Sequence, residues 1–230
     1  MSRDKYFDLG AESGEDAVAS TALLESRLKA LDDRKAQLTD AIERALLDKD
    51  AAEILLELGR EGEIWPRARP AFEVFRSAER WQEAAEACGI LYRADQPGSL
   101  AALGQGVWLA VTYPIDPQTT LELLRHLVED TPDRSDGAAV AAATAAYIVD
   151  LRAEGTQHEN LHFFAMQLLG DVARRHSSVE NQPQFEAWMR RLELNDPAKF
   201  LVRLRNVVDV LVQDDWWFDR AELQSRLPVN

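Results

Sequence analysis

Apolar residues recur along this chain at helical intervals rather than in strict alternation. Leu24, Leu28, Leu31, Lys35, Leu38, Ile42 and Ala45 are separated by alternating steps of four and three. That is the a/d seam of a heptad repeat, with Lys35 as its polar interruption. No Gly or Pro interrupts residues 15–58, so residues 16–60 are expected to form a long helical arm. The arm is either one side of an antiparallel hairpin within the chain or a coiled coil with a second copy of it through residues 24–45. Residues 1–15 are polar and expected to be a mobile tail. EGEIWPRARP, residues 61–70, carries two prolines and is the candidate linker into an all-α domain over residues 66–230.

Beyond the linker the pattern is of amphipathic helices with clear punctuation. Phe72 to Ala78, Trp81 to Tyr92 and the segment around Leu100 to Val111 form the first three. Asp116-Pro117 supplies an N-cap with Pro at the first helical position, and Leu121, Leu124, Leu127 and Val128 make the apolar face that follows. TPDRSDG is a loop, with Ser135 or Asp136 capping the alanine-rich GAAVAAATAAYIVDLRA. Small side chains allow close helix packing, which places that helix centrally. Helices over about Gln157 to His176 and Pro183 to Leu194 come next. Asp196-Pro197 then repeats the cap signal before an apolar helix through Val212. VWLAVTYPI alone has a strand-like composition, and one strand makes no sheet. The fold expected is all-α, a helical bundle or short helical-repeat-like array of antiparallel helices with a long N-terminal helix. WQEAAEACGILYRA resembles tetratricopeptide helices in its small-residue texture, although no fixed 34-residue period runs through the chain.

Composition narrows the function classes. The 230 residues carry a formal net charge of -14, with 26 Lys and Arg against 40 Asp and Glu. Nucleic acid and anionic membranes demand clustered positive charge, so neither is expected as a partner. The single cysteine, Cys88, excludes an intramolecular disulfide and suits a reducing compartment. With no apolar leader in the first residues and no long apolar run, the expected location is the cytoplasm. Cys88 falls on the apolar part of its helix and is expected to be a small core residue.

One stretch looks like chemistry. His158, Glu159 and His162 spell H-E-x-x-H, the pattern in which zinc peptidases place two ligands on one helix face and a general base between them. The longer zincin pattern fails downstream of Phe164. His176 lies roughly 20 Å further along the same helix at 1.5 Å per residue. Glu180 and Glu186 are the remaining candidates for a third ligand, across an uncertain turn, and no stoichiometric zinc is expected on that basis. Arg152 and His158 make R-x5-H, similar to the motif of HEPN ribonucleases, which are also all-α. Asp130, Asp133 and Asp136 lack the spacing of a calcium loop, and Gly104-Gln105-Gly106 lacks the strand and lysine of a phosphate loop. At the C-terminus, Trp216, Trp217 and Phe218 stand among aspartates. They either clamp the last helix to the core or form an aromatic anchor for a protein partner.

These readings converge on a cytoplasmic protein-interaction adaptor or assembly scaffold without catalytic activity or cofactor. Its partner-binding residues would be Trp216, Trp217 and Phe218. The alternative is a zinc-dependent hydrolase with His158, His162 and Glu180 as ligands and Glu159 as base. A HEPN-like ribonuclease is the third reading.

Overall fold

Six of the helix starts among the described residues carry a side-chain acceptor placed before them. In the computed structural model, which describes residues 14–227, the side chains of Asp40, Asp116, Ser135, Asn181, Asp196 and Asp219 each accept a hydrogen bond from a backbone N–H of the first turn that follows. Pro66, Pro117, Pro183 and Pro197 sit at the first or second helical position, where a missing N–H costs nothing. The described residues hold α1 (Gly14–Lys35), α2 (Ala41–Glu57), α3 (Trp65–Ser77), α4 (Trp81–Arg93), α5 (Ser99–Thr112), α6 (Pro117–Glu129), α7 (Asp136–Arg152), α8 (Gly155–Ser177), α9 (Gln182–Arg191), α10 (Pro197–Val212) and α11 (Arg220–Ser225). There is no strand among them. The tail expected over residues 1–15 lies outside the described residues, except that Gly14 and Glu15 begin α1.

From α1 to α9 each helix packs on the next, and α2 touches α4, α4 touches α6 and α6 touches α8. The even-numbered helices therefore form one layer and α3, α5 and α7 the other, an array of stacked hairpins of the expected class. The chain then returns: α10 lies across α5 and α7 and covers the face that these two helices would otherwise expose.

Two local expectations change. The arm over 16–60 is two helices, because the chain turns at residues 36–40. Arg44 donates to the Lys35 and Leu38 carbonyls at 2.9 and 3.1 Å, satisfying the open end of α1, while Asp40 caps α2. The α1 part of the heptad seam packs inside the chain. Leu28 is 5% exposed, and Leu24 and Leu31 pack beside it against a cluster that includes Ile54, Leu55 and Ile64. Asp32 and Arg67 pin α1 to α3 through two bonds of 2.6 and 3.0 Å. That guanidinium lowers the Asp32 carboxyl below its ordinary pKa, outweighing desolvation.

The linker is also helix. Pro66 begins α3, and Pro70 sits on its exposed side while Ala68, Ala71, Phe72 and Phe75 are buried. The one backbone bond lost at Pro70 is offset by that apolar face. VWLAVT, strand-like in composition, lies in α5, the helix expected around Leu100 to Val111. This helix is buried on every side from Ala101 to Ala110, and a helix apolar all round shows no amphipathic period.

The two glycines of α5 explain how it can be so enclosed. A Cβ on Gly104 would fall 2.5 Å from Val212 Cγ2 of α10, and one on Gly106 would fall 2.8 Å from Cys88 Cβ of α4. Ala in place of either glycine is expected to lower stability by about 1–3 kcal/mol through overpacking. Gly170 of α8 has only the Arg174 Nη1 atom near its Cβ position, at 3.8 Å. Gly170→Ala should raise stability by up to about 1 kcal/mol, from helix propensity alone. Urea titration of the three variants checks this, and the same sign at all three positions would refute the close-packing role.

Candidate functional site

The turn from α7 to α8 is built to be rigid. Arg152, in the last position of α7, donates to the carbonyls of Ala110 (2.7 Å), Val111 (3.1 Å) and Ile115 (3.2 Å) at the far end of α5. Burial lowers its pKa, but a guanidinium stays charged and suits those helix-end carbonyls. Ala153 is buried, Glu154 is extended, and Gly155 takes φ +54, a left-handed conformation that Gly adopts at no steric cost. The chain reverses there and α8 runs back along α7.

The reversal brings Asp150, two residues before Arg152, to the first turns of α8. Its Oδ1 lies 2.9 Å from His158 Nε2 and 2.9 Å from His162 Nδ1. The two imidazoles, four residues apart on one face, stack with centroids 5.2 Å apart. The three ligand-type atoms all lie within 4.8 Å of one another. Partial burial pushes the Asp150 carboxyl up, and the hydrogen bonds from both histidines outweigh it, so the group sits below its ordinary pKa. All three side chains are between about a third and a half exposed.

Other sequence candidates are placed elsewhere. Glu180 lies beyond Ser177, the end of α8, which is itself roughly 22 Å along the helix from His162 at 1.5 Å per residue, and the Glu180 backbone N–H donates to Gln184. Glu186 accepts from Gln182 on α9. Asp150 takes the position that the zinc reading assigned to Glu180. It lay upstream of the motif, across a turn whose direction the sequence does not reveal. Glu159 is exposed, one position round the helix from His158. Arg152, the arginine of the HEPN-like pair, is committed to backbone carbonyls. Cys88 is fully buried, and desolvation raises its thiol pKa, which leaves no thiolate for nucleophilic work. The aspartates near 133 do not converge: Asp136 accepts from His176 and Arg203.

Trp216, Trp217 and Phe218 lie in the non-helical segment between α10 and α11, so each can point differently. Trp217 meets Phe72 edge-on at 5.0 Å and Trp65 at 6.1 Å, with the Arg69 guanidinium 4.0 Å above its ring. Phe218 is buried against Trp108 and Phe72. Trp216 packs on Phe218 under the Arg220 guanidinium. Gln105, fully buried in α5, locks the segment by accepting from Trp217 N–H at 2.9 Å and donating to the Asp215 carbonyl at 3.2 Å. The three aromatics thus have core partners, the clamp of the two sequence readings.

A different apolar surface was not singled out from sequence. Between α6 and α8 lies an open groove of about 770 Å³. Leu121, Leu161, Phe164 and Leu168 line it, and Glu122, Arg125, Glu129 and Asp171 stand among its polar residues. Phe164 is 57% exposed and Phe163, beside it at 5.6 Å, is 64% exposed. The available signal was that the apolar positions of α8 cover more than one face, as they must when one face packs and another stays open.

The clamp has a measurable consequence. Phe218→Ala should cost about 3–5 kcal/mol of stability, and Trp217→Ala less, since that ring is partly exposed. Thermal melts of both variants test it; melting points within a degree of the parent would show that these rings are not structural.

No family model, curated protein or solved structure matches the chain.

Proposed function

We propose that this protein is a protein-interaction module, an adaptor or assembly scaffold, whose docking surface is the groove between α6 and α8. Its occupant is an amphipathic helix with basic flanks. The observation that carries this reading is an apolar floor continuing into an exposed Phe164, on a chain whose α5 and α7 are covered by its own α10. Helix-in-groove recognition uses such a floor, met by side chains at i, i+3, i+4 and i+7 of the partner. The groove-lining span of α8, Asn160 to Asp171, covers about 16 Å at 1.5 Å per residue, enough for about three turns of a partner helix. The rim presents three carboxylates, Glu122, Glu129 and Asp171, against one guanidinium, Arg125. The whole chain carries a net charge of -14. Such a field steers cationic partners and repels acidic ones. No helix among the described residues is long and apolar enough to cross a membrane.

The test uses two synthetic helical peptides of identical leucine pattern, one with lysines on its polar face and one with glutamates. Titrated into isotope-labelled full chain, the Leu/Lys peptide should shift amide resonances of α6 and the first half of α8, and the Leu/Glu peptide should not. Phe164→Glu should abolish that binding while leaving the melting point nearly unchanged, because the ring is largely solvent-facing. The variant also adds negative charge, so non-specific attraction of the basic peptide would survive or strengthen in it. That outcome, or shifts scattered over the acidic surface, would sink the proposal.

A further inference from the structure

The contact between Asp150 and the two histidines can be a pair of hydrogen bonds or the frame of an ion site, and three features distinguish them. The first is the sharing of one acceptor atom. Asp150 Oδ1 is the near atom for both His158 Nε2 and His162 Nδ1, each at 2.9 Å. As hydrogen bonds between neutral rings, this demands opposite tautomers on neighbouring histidines, with protons on Nε2 of one and Nδ1 of the other. A cation replaces both protons and engages the same three atoms. The second is size. Tetrahedral zinc with bonds of about 2.0–2.1 Å holds its ligand atoms roughly 3.3 Å apart. The three atoms here lie within 4.8 Å of one another, so any pair has at most about 1.5 Å to close to reach that spacing.

The third feature is preorganisation. Arg152 ties the end of α7 to three carbonyls near the end of α5, and the turn through Gly155 fixes where α8 begins. The carboxylate and the imidazoles are thus held on two packed helices before any ion arrives, which lowers the ordering cost of binding. The donor set also selects the ion. Two imidazole nitrogens and one carboxylate oxygen suit zinc and its transition-metal neighbours, whereas magnesium and calcium favour all-oxygen shells. The partial exposure of all three side chains provides an entry path and leaves room for water as a further ligand.

We propose that Asp150, His158 and His162 bind one divalent transition-metal ion of the zinc class, clamping the start of α8 to the end of α7. The site stands independently of the groove and needs no catalytic role. Calorimetric titration of chelator-stripped full chain with zinc chloride should give one equivalent per chain, while magnesium chloride gives none. Zinc should raise the melting point, since an ion that binds only the folded state stabilises it by mass action. Cobalt(II) should show the visible bands of a low-coordinate nitrogen and oxygen shell. Asp150→Asn and His162→Ala should each weaken zinc binding by roughly ten-fold or more, the least expected when a direct ligand is lost. Should circular dichroism show that His162→Ala has lost its fold, His158→Gln makes the same test. Glu180→Gln should leave zinc affinity unchanged. Three results would overturn the site: no zinc binding at 100 µM, equal binding in the Asp150 and His variants, or a loss in Glu180→Gln as large as theirs.

Discussion

The array depends on one close approach. Helices packed through ordinary side chains stand about 8–10 Å apart, but α5 is met by α10 at Gly104 and by α4 at Gly106, where hydrogen replaces the side chain. Between them Gln105 turns into the interior, and both ends of its amide are satisfied by the Asp215–Trp217 backbone. A buried polar side chain is tolerated only when so paired, and then it specifies one arrangement of the segments it joins. Three consecutive residues therefore decide where α4, α10 and the C-terminal aromatic segment lie. The alanine-rich α7 does the same within the layer of α5, its small residues letting α6, α8 and α10 crowd around it.

The surface chemistry depends on that interior. Arg152 belongs to α7, yet its donors reach carbonyls of α5 and of the loop behind it. A charged group at a helix C-terminus is favourable in itself, and here it also sets the geometry of the α7–α8 reversal. Asp150 and the two histidines meet because that reversal is fixed, although none of the three is buried.

Helix α8 divides its circumference between tasks. Leu161, Ala165, Leu169 and Val172 are buried in the core. His158 and His162 approach Asp150 on one edge, and Asn160, Phe164, Gln167 and Asp171 line the groove on the other. Both candidate surfaces are edges of one helix seated on one core, so whatever holds its first turns also positions the wall of the groove. Leu161 connects them, since it is at once a buried core residue and part of the groove lining.

Much of this architecture was legible in the chain. The caps at Asp116, Ser135 and Asp196 lie in the sequence because capping is a contact between a residue and the N–H groups two or three positions on. Amphipathic helices such as α4 and α6 show their period for the same local reason. Local signals misled where partners came from afar. Pro70 resembled a linker because the apolar surface that holds α3 together belongs to other helices, and the heptad seam concealed a turn closed by Arg44. The H-E-x-x-H spacing placed two histidines on one face, as any i, i+4 pair on a helix must be. That Asp150 joins them, that Glu180 does not, and that Trp217 turns inward while Phe164 stays in solvent were decided by the direction of turns and the order of packing. Those depend on contacts between residues far apart in the chain, which no periodicity encodes.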